Sequence, residues 1–526
     1  MKTSIDLFQL IKSLTKSEKR YFKLTARSQK AKGGSNYLKL FEAIEKQQVY
    51  DEELIKKKFS GSAFIKHLPS EKNYLYTLIE KSLVKFHASS SDEIELDDHL
   101  HAAEIFFKKG LYLQSSKALE KALSLALESE LYSKLFKISE LQLQLIPQVA
   151  LSAESMKEKY TRSLENVRLA FRMLENQARY NELHSDFYQL IRKEGELARS
   201  AAERLRLENI MLDPLLQDES HALTKSSRRL FYFIHATYHH VTGNPEKAYH
   251  FEEREVAQME SDKKMMTDSS LIYTARVSNM CETSLRMKNY SLCKKNLEKL
   301  RNAPAAYPLE KARLFYRYYD FALRLQVMTG EFDKAVALVK PIESGFARYK
   351  ENIHKSRQIS LYYHFAYAYF GNGDYKASLG WINRVLEEKT DLRSDLLCYA
   401  RLLNCIVHFE LKNYLQLESA YKSTQYFFSK RKKLYQFEAT FLKYFRKVCN
   451  APGSKTEKNV LTDFNNELLA LLKDPRESAA LEYFDLPSWL ESRIEKRLFA
   501  EIIKRKINAP QDRKAGGSYS GDVSFL

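Results

Sequence analysis

Apolar residues recur at helical spacing on both sides of short turns in the middle of the chain. In the clearest stretch, Tyr362, Phe365, Ala366 and Tyr369 precede a turn at Gly373. The residues that continue the pattern after the turn are Tyr375, Ser378, Ile382 and Val385. Spacings of three and four residues place each set on one side of an α-helix. The stretch therefore predicts two amphipathic helices joined by a glycine turn.

The same turn pattern recurs along much of the chain. A Gly or Lys is followed two positions later by a ring or another apolar residue, and three positions after that usually by a small residue. The turns begin at Gly110, Gly195, Gly243, Lys288, Gly330, Gly373 and Lys412. From Gly195 onwards they lie 39 to 48 residues apart, whereas the first interval is 85 residues. That interval predicts a further, degenerate unit around residues 145–175, where Pro147 interrupts the helical pattern.

A unit of about 43 residues has room for two helices of about 16 to 18 residues and two short turns. We expect the turn glycine to adopt the left-handed conformation that closes the first helix. The ring residue two positions later then packs against the start of the second helix.

The pattern around Gly373 resembles the tetratricopeptide repeat, with the small Ala366 where two helices must approach closely. Partial matches in two other units comprise His99, Ala102, Ala103, Phe106, Gly110, Tyr112, Ser115, Leu119 and Ala122, and then Tyr319, Ala322, Gly330, Phe332, Ala335 and Val339. The resemblance covers roughly residues 95–450. It departs from the family in its period, which is 34 residues there, and at Glu252 and Glu255, which occupy positions that are usually apolar.

This resemblance implies a curved solenoid whose concave face binds peptides or proteins, and it implies no catalysis. The predicted fold is all-α: a right-handed α-solenoid of about eight tetratricopeptide-like helix pairs with helical N-terminal and C-terminal caps. The predicted domains are a basic helical N-terminal domain over 1–90, the helical repeats over 91–450, a C-terminal helical cap over 451–507 and a disordered tail over 508–526. Within the first domain we expect helices near 37–48, 51–59 and 70–88, with Asp51 and Ser70 as N-caps. Within the C-terminal cap we expect helices around 462–473 and 487–507.

Composition supports long helices, because Gly and Pro number only 15 and 11 among 526 residues and both residues break helices. No secretory signal is evident at the amino terminus, and no apolar stretch is long enough to span a bilayer. A soluble, cytoplasmic protein with no membrane span is therefore expected. The five cysteines do not form the pattern of a disulfide framework, and Cys281, Cys293 and Cys405 fall at small-residue packing positions of the repeats.

Positive charge is concentrated at the amino terminus. The chain has a formal net charge of +18, and residues 1–90 contain 18 Lys and Arg against 9 Asp and Glu. Thr15 and Glu18 form a capping-box pattern that starts a helix. That helix presents Lys16, Arg20, Lys23 and Arg27 at spacings of 4, 3 and 4, which makes one basic face. Further lysines available for phosphate or acidic-partner contacts are Lys72, Lys81 and Lys85.

Three interpretations of this basic domain remain open. Its helices could form a helix-turn-helix-like module that binds DNA, although the connection over residues 60–69 is far longer than the usual turn. The alternative is an amphipathic cap whose lysines keep it soluble, or a surface for nonspecific RNA or acidic-protein contact.

Two other clusters of cations lie within the repeats. The cluster from Lys422 to Lys447 includes Lys430, Arg431, Lys432 and Lys433, and its cations are interleaved with aromatic residues that could stack on bases but at helical spacing fit a core better. The residues predicted to line the partner-binding groove are Arg313, Arg317, Tyr319, Arg324 and Tyr362. The guanidinium groups of Arg313, Arg317 and Arg324 could hold a partner's carboxylates or pair with neighbouring acids.

The predicted function is a noncatalytic scaffold that binds a protein or peptide partner on the concave face of the solenoid. The alternative is a nucleic-acid-binding or transcription-regulatory protein that uses the basic N-terminal helices, with the repeats as sensor. Common nucleotide-binding, zinc-protease and serine-hydrolase motifs do not occur, so neither an enzyme nor a cofactor is expected. His235 and His239 have the spacing of a two-histidine metal face, but the aligned units carry core or groove residues there.

Overall fold

A computed structural model describes residues 4–28, 34–87, 92–149, 152–194, 201–349, 352–388, 393–430, 436–449 and 455–508. Every regular element in these ranges is helical, and no strand occurs in them. The predicted all-α class is therefore confirmed. None of the described helices is both long and apolar enough to cross a lipid bilayer.

The chain divides into two compact units. Unit 1 comprises Met1–Tyr180 and Ala222–Ser227, and unit 2 comprises Asn181–His221 and Arg228–Leu526.

Five helices at the start of unit 1 enclose a hydrophobic core of their own. They are α1 (Ser4–Ser13), α2 (Lys16–Ser28), α3 (Gly34–Lys46), α4 (Glu52–Lys58) and α5 (Leu68–Phe86). Leu7, Ile11, Phe22, Phe41 and Ile79 are among the residues buried between them.

The caps of these helices test the sequence prediction residue by residue. The capping box is confirmed, because the Thr15 amide donates to Glu18 Oε2 at 2.6 Å and the Glu18 amide donates to Thr15 Oγ1 at 3.3 Å. Asp51 is also the N-cap of α4, since its carboxylate accepts from the Leu54 amide at 3.1 Å. Ser70 is not an N-cap, because a 3₁₀ turn over Ala63–His67 leads directly into α5 at Leu68.

The remaining helices of unit 1 begin with a hairpin of the expected kind. The elements are α6 (Asp92–Lys108), α7 (Tyr112–Glu128), α8 (Tyr132–Leu145) and α9 (Ala153–Glu194), the last of which continues into the residues of unit 2. The degenerate unit expected around 145–175 is not a helix pair: after a 3₁₀ turn at Ile146–Gln148, α9 runs for 42 residues. Leucine, methionine, glutamate, lysine and arginine dominate this stretch and favour continuous helix.

Unit 2 consists of helices that mostly follow one another as antiparallel pairs. They are α10 (Ala201–Met211), α11 (Lys225–Val241, whose first residues belong to unit 1), α12 (Pro245–Ser261), α13 (Lys263–Asp268), α14 (Ser270–Arg286), α15 (Tyr290–Arg301), α16 (Pro308–Met328), α17 (Phe332–Ala337), α18 (Val339–Tyr349), α19 (Lys355–Gly371), α20 (Tyr375–Leu386), α21 (Ser394–Glu410), α22 (Tyr414–Lys430), α23 (Gln436–Cys449), α24 (Lys455–Leu471), α25 (Pro475–Ser478), α26 (Leu486–Glu495) and α27 (Phe499–Asn508). We call α14, α16, α19 and α21 the first helices, because each precedes a predicted turn. Successive first helices contact one another, as α14 with α16, α16 with α19 and α19 with α21.

The predicted turns are confirmed wherever they are described. Gly110, Gly243, Gly330 and Gly373 have φ between 69° and 80°, and Lys288 and Lys412 adopt φ of 53° and 58° in the same place. In each turn the next amide donates back to the carbonyl five residues earlier, as Asp374 does to Tyr369 at 3.0 Å and Asn413 to His408 at 3.0 Å. This is the Schellman closure, in which a left-handed residue satisfies the last carbonyls of a helix. The turn predicted at Gly195 lies outside the described residues.

One hydrogen bond fixes how the two helices of a pair meet. The Ser378 hydroxyl donates to the Ala366 carbonyl at 2.7 Å, and the Ser115 hydroxyl donates to the Ala103 carbonyl at 2.9 Å. Each serine lies five residues after the turn glycine and each alanine seven residues before it. The equal spacing supports the register deduced from the sequence.

The acids at apolar repeat positions are buried with partners. Glu252 Oε1 lies 2.8 Å from His240 Nε2, and Glu255 accepts from Arg276 Nε at 2.7 Å. A buried carboxylate needs such a partner because an isolated charge is poorly solvated inside a protein.

The C-terminal helices fold back over the first helices. The helix expected over 487–507 is divided into α26 and α27, because Lys496 adopts a left-handed conformation with φ of 55°. We call Pro475–Asn508 the C-terminal segment. The Tyr363 hydroxyl of α19 donates to the Tyr483 carbonyl at 3.1 Å, and the Asp485 amide donates to the Tyr367 hydroxyl at 3.1 Å. Similar contacts reach α21, where Glu410 accepts from the Trp489 indole at 2.7 Å.

Candidate functional site

The arginines predicted to line a groove lie on α16, and the structure assigns them different roles. They follow one another at spacings of four and seven residues along this 21-residue helix. Their neighbours come from α14, α19 and the C-terminal segment, all within unit 2.

Arg324 is held in an ion pair. Its guanidinium contacts Glu282 of α14 at 2.5 and 3.1 Å and lies 3.9 Å from Asp320. Arg286 contacts the same Glu282 carboxylate at 3.3 Å. Burial works against the charge of Glu282, but the adjacent Arg324 outweighs it and lowers the pKa of Glu282 to about 2. Burial also opposes the charge of Arg324, and the carboxylate of Glu282 nevertheless raises the pKa of Arg324.

Arg317 is used inside the fold. The side chain is buried, and Nη1 donates to the Leu271 carbonyl at 3.1 Å and to the Thr274 hydroxyl of α14. Burial, together with the charge of Arg313, lowers the pKa of Arg317 to about 10. Arg317 therefore joins two consecutive first helices and is not available to hold a partner's carboxylate.

Arg313 remains on the half-buried side of α16, one turn before Arg317. Near it, Arg357 of α19 lies over the ring of Tyr316 at 5.2 Å, a distance at which a cation is attracted to an aromatic face. Arg313 precedes Tyr316 by three residues, so the two occupy neighbouring positions on the helix. We call Arg313, Tyr316 and Arg357 the α16 patch.

Two titratable groups border the α16 patch. Oδ1 of Asp320 is buried without a hydrogen-bond partner among the described residues, and burial raises the pKa of this carboxyl. His364 of α19 is kept neutral, because burial and the nearby Arg324 lower the pKa of its imidazole to about 3. The patch can therefore present the cations of Arg313 and Arg357 to acids of a ligand, while Asp320 is buried and His364 is half-buried.

The two predicted groove tyrosines belong to aromatic clusters. The Tyr319 ring lies 4.8 Å from that of Phe315, and the Tyr362 ring lies 5.4 Å from that of Trp381. Both rings are half-buried. These contacts give the tyrosines a packing role in the hairpins.

The C-terminal segment packs on two of the first helices. Tyr399 of α21 stacks on Tyr483 with ring centroids 4.1 Å apart and planes 7° apart. Phe370 of α19 lies 5.4 Å from Phe484 and 5.6 Å from Phe499. The segment therefore covers part of α19 and part of α21.

The basic face of α2 forms a second candidate site, in unit 1. A groove of about 420 Å³ is lined by Lys16, Lys19, Arg20, Lys23, Leu24, Arg27 and Glu45. We call it the basic groove. It contains every residue of the predicted basic face, and its single acid, Glu45, accepts from Lys23 at 2.8 Å and pairs with Lys19 at 3.3 Å.

The other predicted cations differ in availability. Lys72 is almost fully buried and pairs with Glu52, so it has a structural role in the first core. Lys81 and Lys85 are exposed on α5. Lys430 lies 5.4 Å from the centre of the Tyr426 ring. Arg431, Lys432 and Lys433 lie outside the described residues.

The histidines of α11 have protein partners. His235 Nε2 contacts the Leu216 carbonyl at 3.0 Å, and the His239 ring stacks on Phe251 at 5.7 Å. No cluster of three or more His, Cys, Asp or Glu in the described ranges has the geometry to hold a metal ion. Cys281, Cys293, Cys398 and Cys405 are buried, as the packing interpretation predicted for Cys281, Cys293 and Cys405.

Sequence reasoning did not single out Arg357, His364 or Glu282. Their positions relative to the repeat turns carried the only available signal, because they fall on first helices beside groove positions. The occupation of α19 and α21 by the C-terminal segment had no sequence signal of its own. Comparison of the chain with protein-family models, with curated proteins and with solved structures finds no match.

Proposed function

We propose that the chain is a noncatalytic helical-repeat scaffold that binds a protein or peptide partner. In this proposal the helix pairs are tetratricopeptide-like, and about eight of them form a right-handed solenoid. The recurrent left-handed turns and the matching serine-to-carbonyl hydrogen bonds support it. A cytoplasmic location belongs to the same proposal.

The observation that carries the partner-binding proposal is the α16 patch. Arg313 of α16 and Arg357 of α19 are cationic groups on two consecutive first helices, and the Arg357 guanidinium lies over the Tyr316 ring. Further along the chain, the C-terminal segment covers part of α19 and part of α21. Guanidinium groups bind carboxylates through paired hydrogen bonds. The expected partner is therefore a segment that carries acidic side chains.

Affinity capture from native extract with paired variants tests the proposal. Arg313→Ala combined with Arg357→Ala removes the cations of the α16 patch without touching the buried Arg317 and Arg324. The matched control is Arg301→Ala combined with Arg348→Ala, which removes the same charge from exposed positions on α15 and α18. Nuclease is added throughout so that nucleic acid cannot bridge proteins to the chain.

A partner retained by the parent and the control, but lost with the patch variant, is the expected result. Hydrogen exchange should then show protection of Ser270–Arg286 and Pro308–Met328 in the complex. If the patch variant and the control retain the same proteins, the α16 patch is not the binding surface and the proposal fails.

A further inference from the structure

The basic groove of unit 1 has a regular row of cations along one helix. Lys16, Arg20, Lys23 and Arg27 lie at spacings of 4, 3 and 4 on α2, so neighbouring Cβ atoms are about 5–6 Å apart. The row extends about 16 Å along the axis. Lys16, Arg20 and Arg27 are exposed, and no ion pair involves them within the described ranges.

The groove is held rigidly by its surroundings. The capping box fixes the first turn of α2, and Glu18 of that box also lies 2.8 Å from His87 Nε2 at the end of α5. On the opposite side of the helix, Phe22 packs against Phe41 with ring centroids 4.8 Å apart. The cations therefore project from a helix anchored in a core.

Charge in the groove is largely uncompensated. Five cations line it with one carboxylate, Glu45. Glu45 binds Lys19 and Lys23 and leaves the two arginines without an acid in the groove. An anionic ligand would gain the attraction of the arginines and Lys16 without displacing an existing ion pair.

The lining distinguishes between classes of polyanion. Leu24, which is 56% exposed, is the only apolar residue among those that line the groove. Protein interfaces usually depend on buried aromatic or aliphatic anchors, and this groove offers no pocket for one. A phosphate backbone needs none, because release of condensed counterions supplies most of its nonspecific affinity.

We propose that the basic groove binds the phosphodiester backbone of a nucleic acid, with Lys16, Arg20 and Arg27 as the phosphate contacts. No aromatic residue lines the groove for base stacking, so binding depends little on base sequence. The site lies in unit 1, and the inference does not rest on the scaffold function proposed for unit 2.

Fluorescence anisotropy of the full-length chain with a labelled mixed-sequence duplex of about 20 base pairs tests this inference over a salt series. A single strand of the same length distinguishes the two forms of backbone, and a polyglutamate peptide represents an acidic protein. The groove variant is Arg20→Gln with Arg27→Gln. The matched control, Lys117→Gln with Lys121→Gln, removes the same charge from exposed positions on α7 of the same unit.

For the duplex, each phosphate contact contributes about 0.9 to the slope of log K against log salt concentration. The groove variant should therefore reduce the slope by about 1.8 and weaken binding by about tenfold or more at low salt, whereas the control should change neither appreciably. Glu45→Gln should strengthen binding, since it removes the only acid of the groove.

Equal weakening by the groove variant and the control would mean that only the net charge of +18 attracts nucleic acid, and would overturn the assignment. Tight, groove-dependent binding of polyglutamate with no binding of either nucleic acid would assign the groove to an acidic protein instead. Unchanged circular dichroism of both variants confirms that the exposed substitutions leave the fold intact.

Discussion

The left-handed turn positions illustrate how single residues shape this chain. Gly243, Gly330 and Gly373 occupy a conformation that costs a residue with a Cβ about 1–2 kcal/mol. Lys288 and Lys412 adopt the same conformation, so each of their turns retains a local strain that glycine would remove.

Both tryptophans, Trp381 and Trp489, lie in unit 2, so intrinsic tryptophan fluorescence reports on the unfolding of that unit.

Gly373→Ala should destabilise unit 2 by about 1 kcal/mol. A Cβ at this position meets nothing within 4 Å, so the effect comes from the backbone conformation alone. Conversely, Lys288→Gly should stabilise unit 2 by about 0.5–1 kcal/mol. The measurement is the urea midpoint of tryptophan fluorescence.

Gly380→Ala is the control for this pair. Gly380 lies inside α20, and its Cβ would also meet nothing within 4 Å. Because glycine weakens a helix interior, the same substitution should here stabilise by about 0.5–1 kcal/mol. Equal effects of Gly373→Ala and Gly380→Ala would show that backbone conformation is not the cause.

The Glu282 ion pair makes stability depend on pH. The pKa of Glu282 is about 2 in the fold and about 4.5 as a reference, so the pair contributes above the reference value and is lost as pH falls from about 4.5 to about 2. We expect Glu282→Gln to be less stable than the parent at pH 7 by about 3 kcal/mol. The difference between the two urea midpoints should shrink steadily below about pH 4.5. A difference that does not change with pH would contradict the ion-pair explanation.

At the scale of single elements, the ten-residue helix α27 packs against two different helix pairs. Phe499 at its start lies 5.6 Å from Phe332 and 5.6 Å from Phe370, which belong to two different helix pairs. Gly330 permits this packing, since a Cβ there would lie 3.2 Å from the Ala500 carbonyl oxygen. The short helix therefore stabilises two pairs together.

Phe499→Ala should destabilise unit 2 by about 3–4 kcal/mol, because it leaves a cavity among buried rings. Leu498→Ala is the adjacent control, and since Leu498 is 69% exposed its effect should stay within about 0.5 kcal/mol. Urea midpoints of tryptophan fluorescence compare the two variants. If both variants behave alike, α27 does not pack as described.

At the scale of the whole molecule, the helix class and the repeat turns could be predicted from the sequence. Helical spacing and the turns at Gly110, Gly330 and Gly373 are local signals, and they gave the correct helix class and the correct turn conformation. The failures came from two sources. The long α9 shows helix propensity overriding an expected turn, and the C-terminal segment depends on contacts between distant parts of the chain.

The candidate site was predicted only in part for the same reason. The row Lys16, Arg20, Lys23 and Arg27 is a local pattern on one helix, and it does line a single groove. The internal roles of Arg317 and Arg324 depend on partners more than 40 residues away in sequence. A charge pattern cannot reveal such partners, although it leaves pairing with neighbouring acids open as one role for these arginines.

The two tryptophans of unit 2 should report different rates of fluorescence recovery during refolding. Trp381 packs against Tyr362 and Phe365 of its own hairpin, whereas Trp489 donates to Glu410, which is 79 residues away. Distant contacts form later because a longer loop must be closed. After dilution from urea, Trp489→Phe, which retains Trp381, should recover its signal faster than Trp381→Phe. Identical rates would show that the fold-back and the hairpin form together.

The fold-back of the C-terminal segment has a consequence for biosynthesis. Tyr363 and Tyr367 find their partners 120 and 118 residues later in the chain. At a synthesis rate of about 5–20 residues per second, the ribosome needs roughly 6–24 s after making Tyr363 and Tyr367 to synthesise these partners. During that interval the aromatic surface of α19 is exposed to chaperones. Translation that stops before the C-terminal segment would leave this surface exposed. A chain that lacks the C-terminal segment should therefore expose aromatic residues that the fold otherwise buries, among them Tyr363 and Phe370.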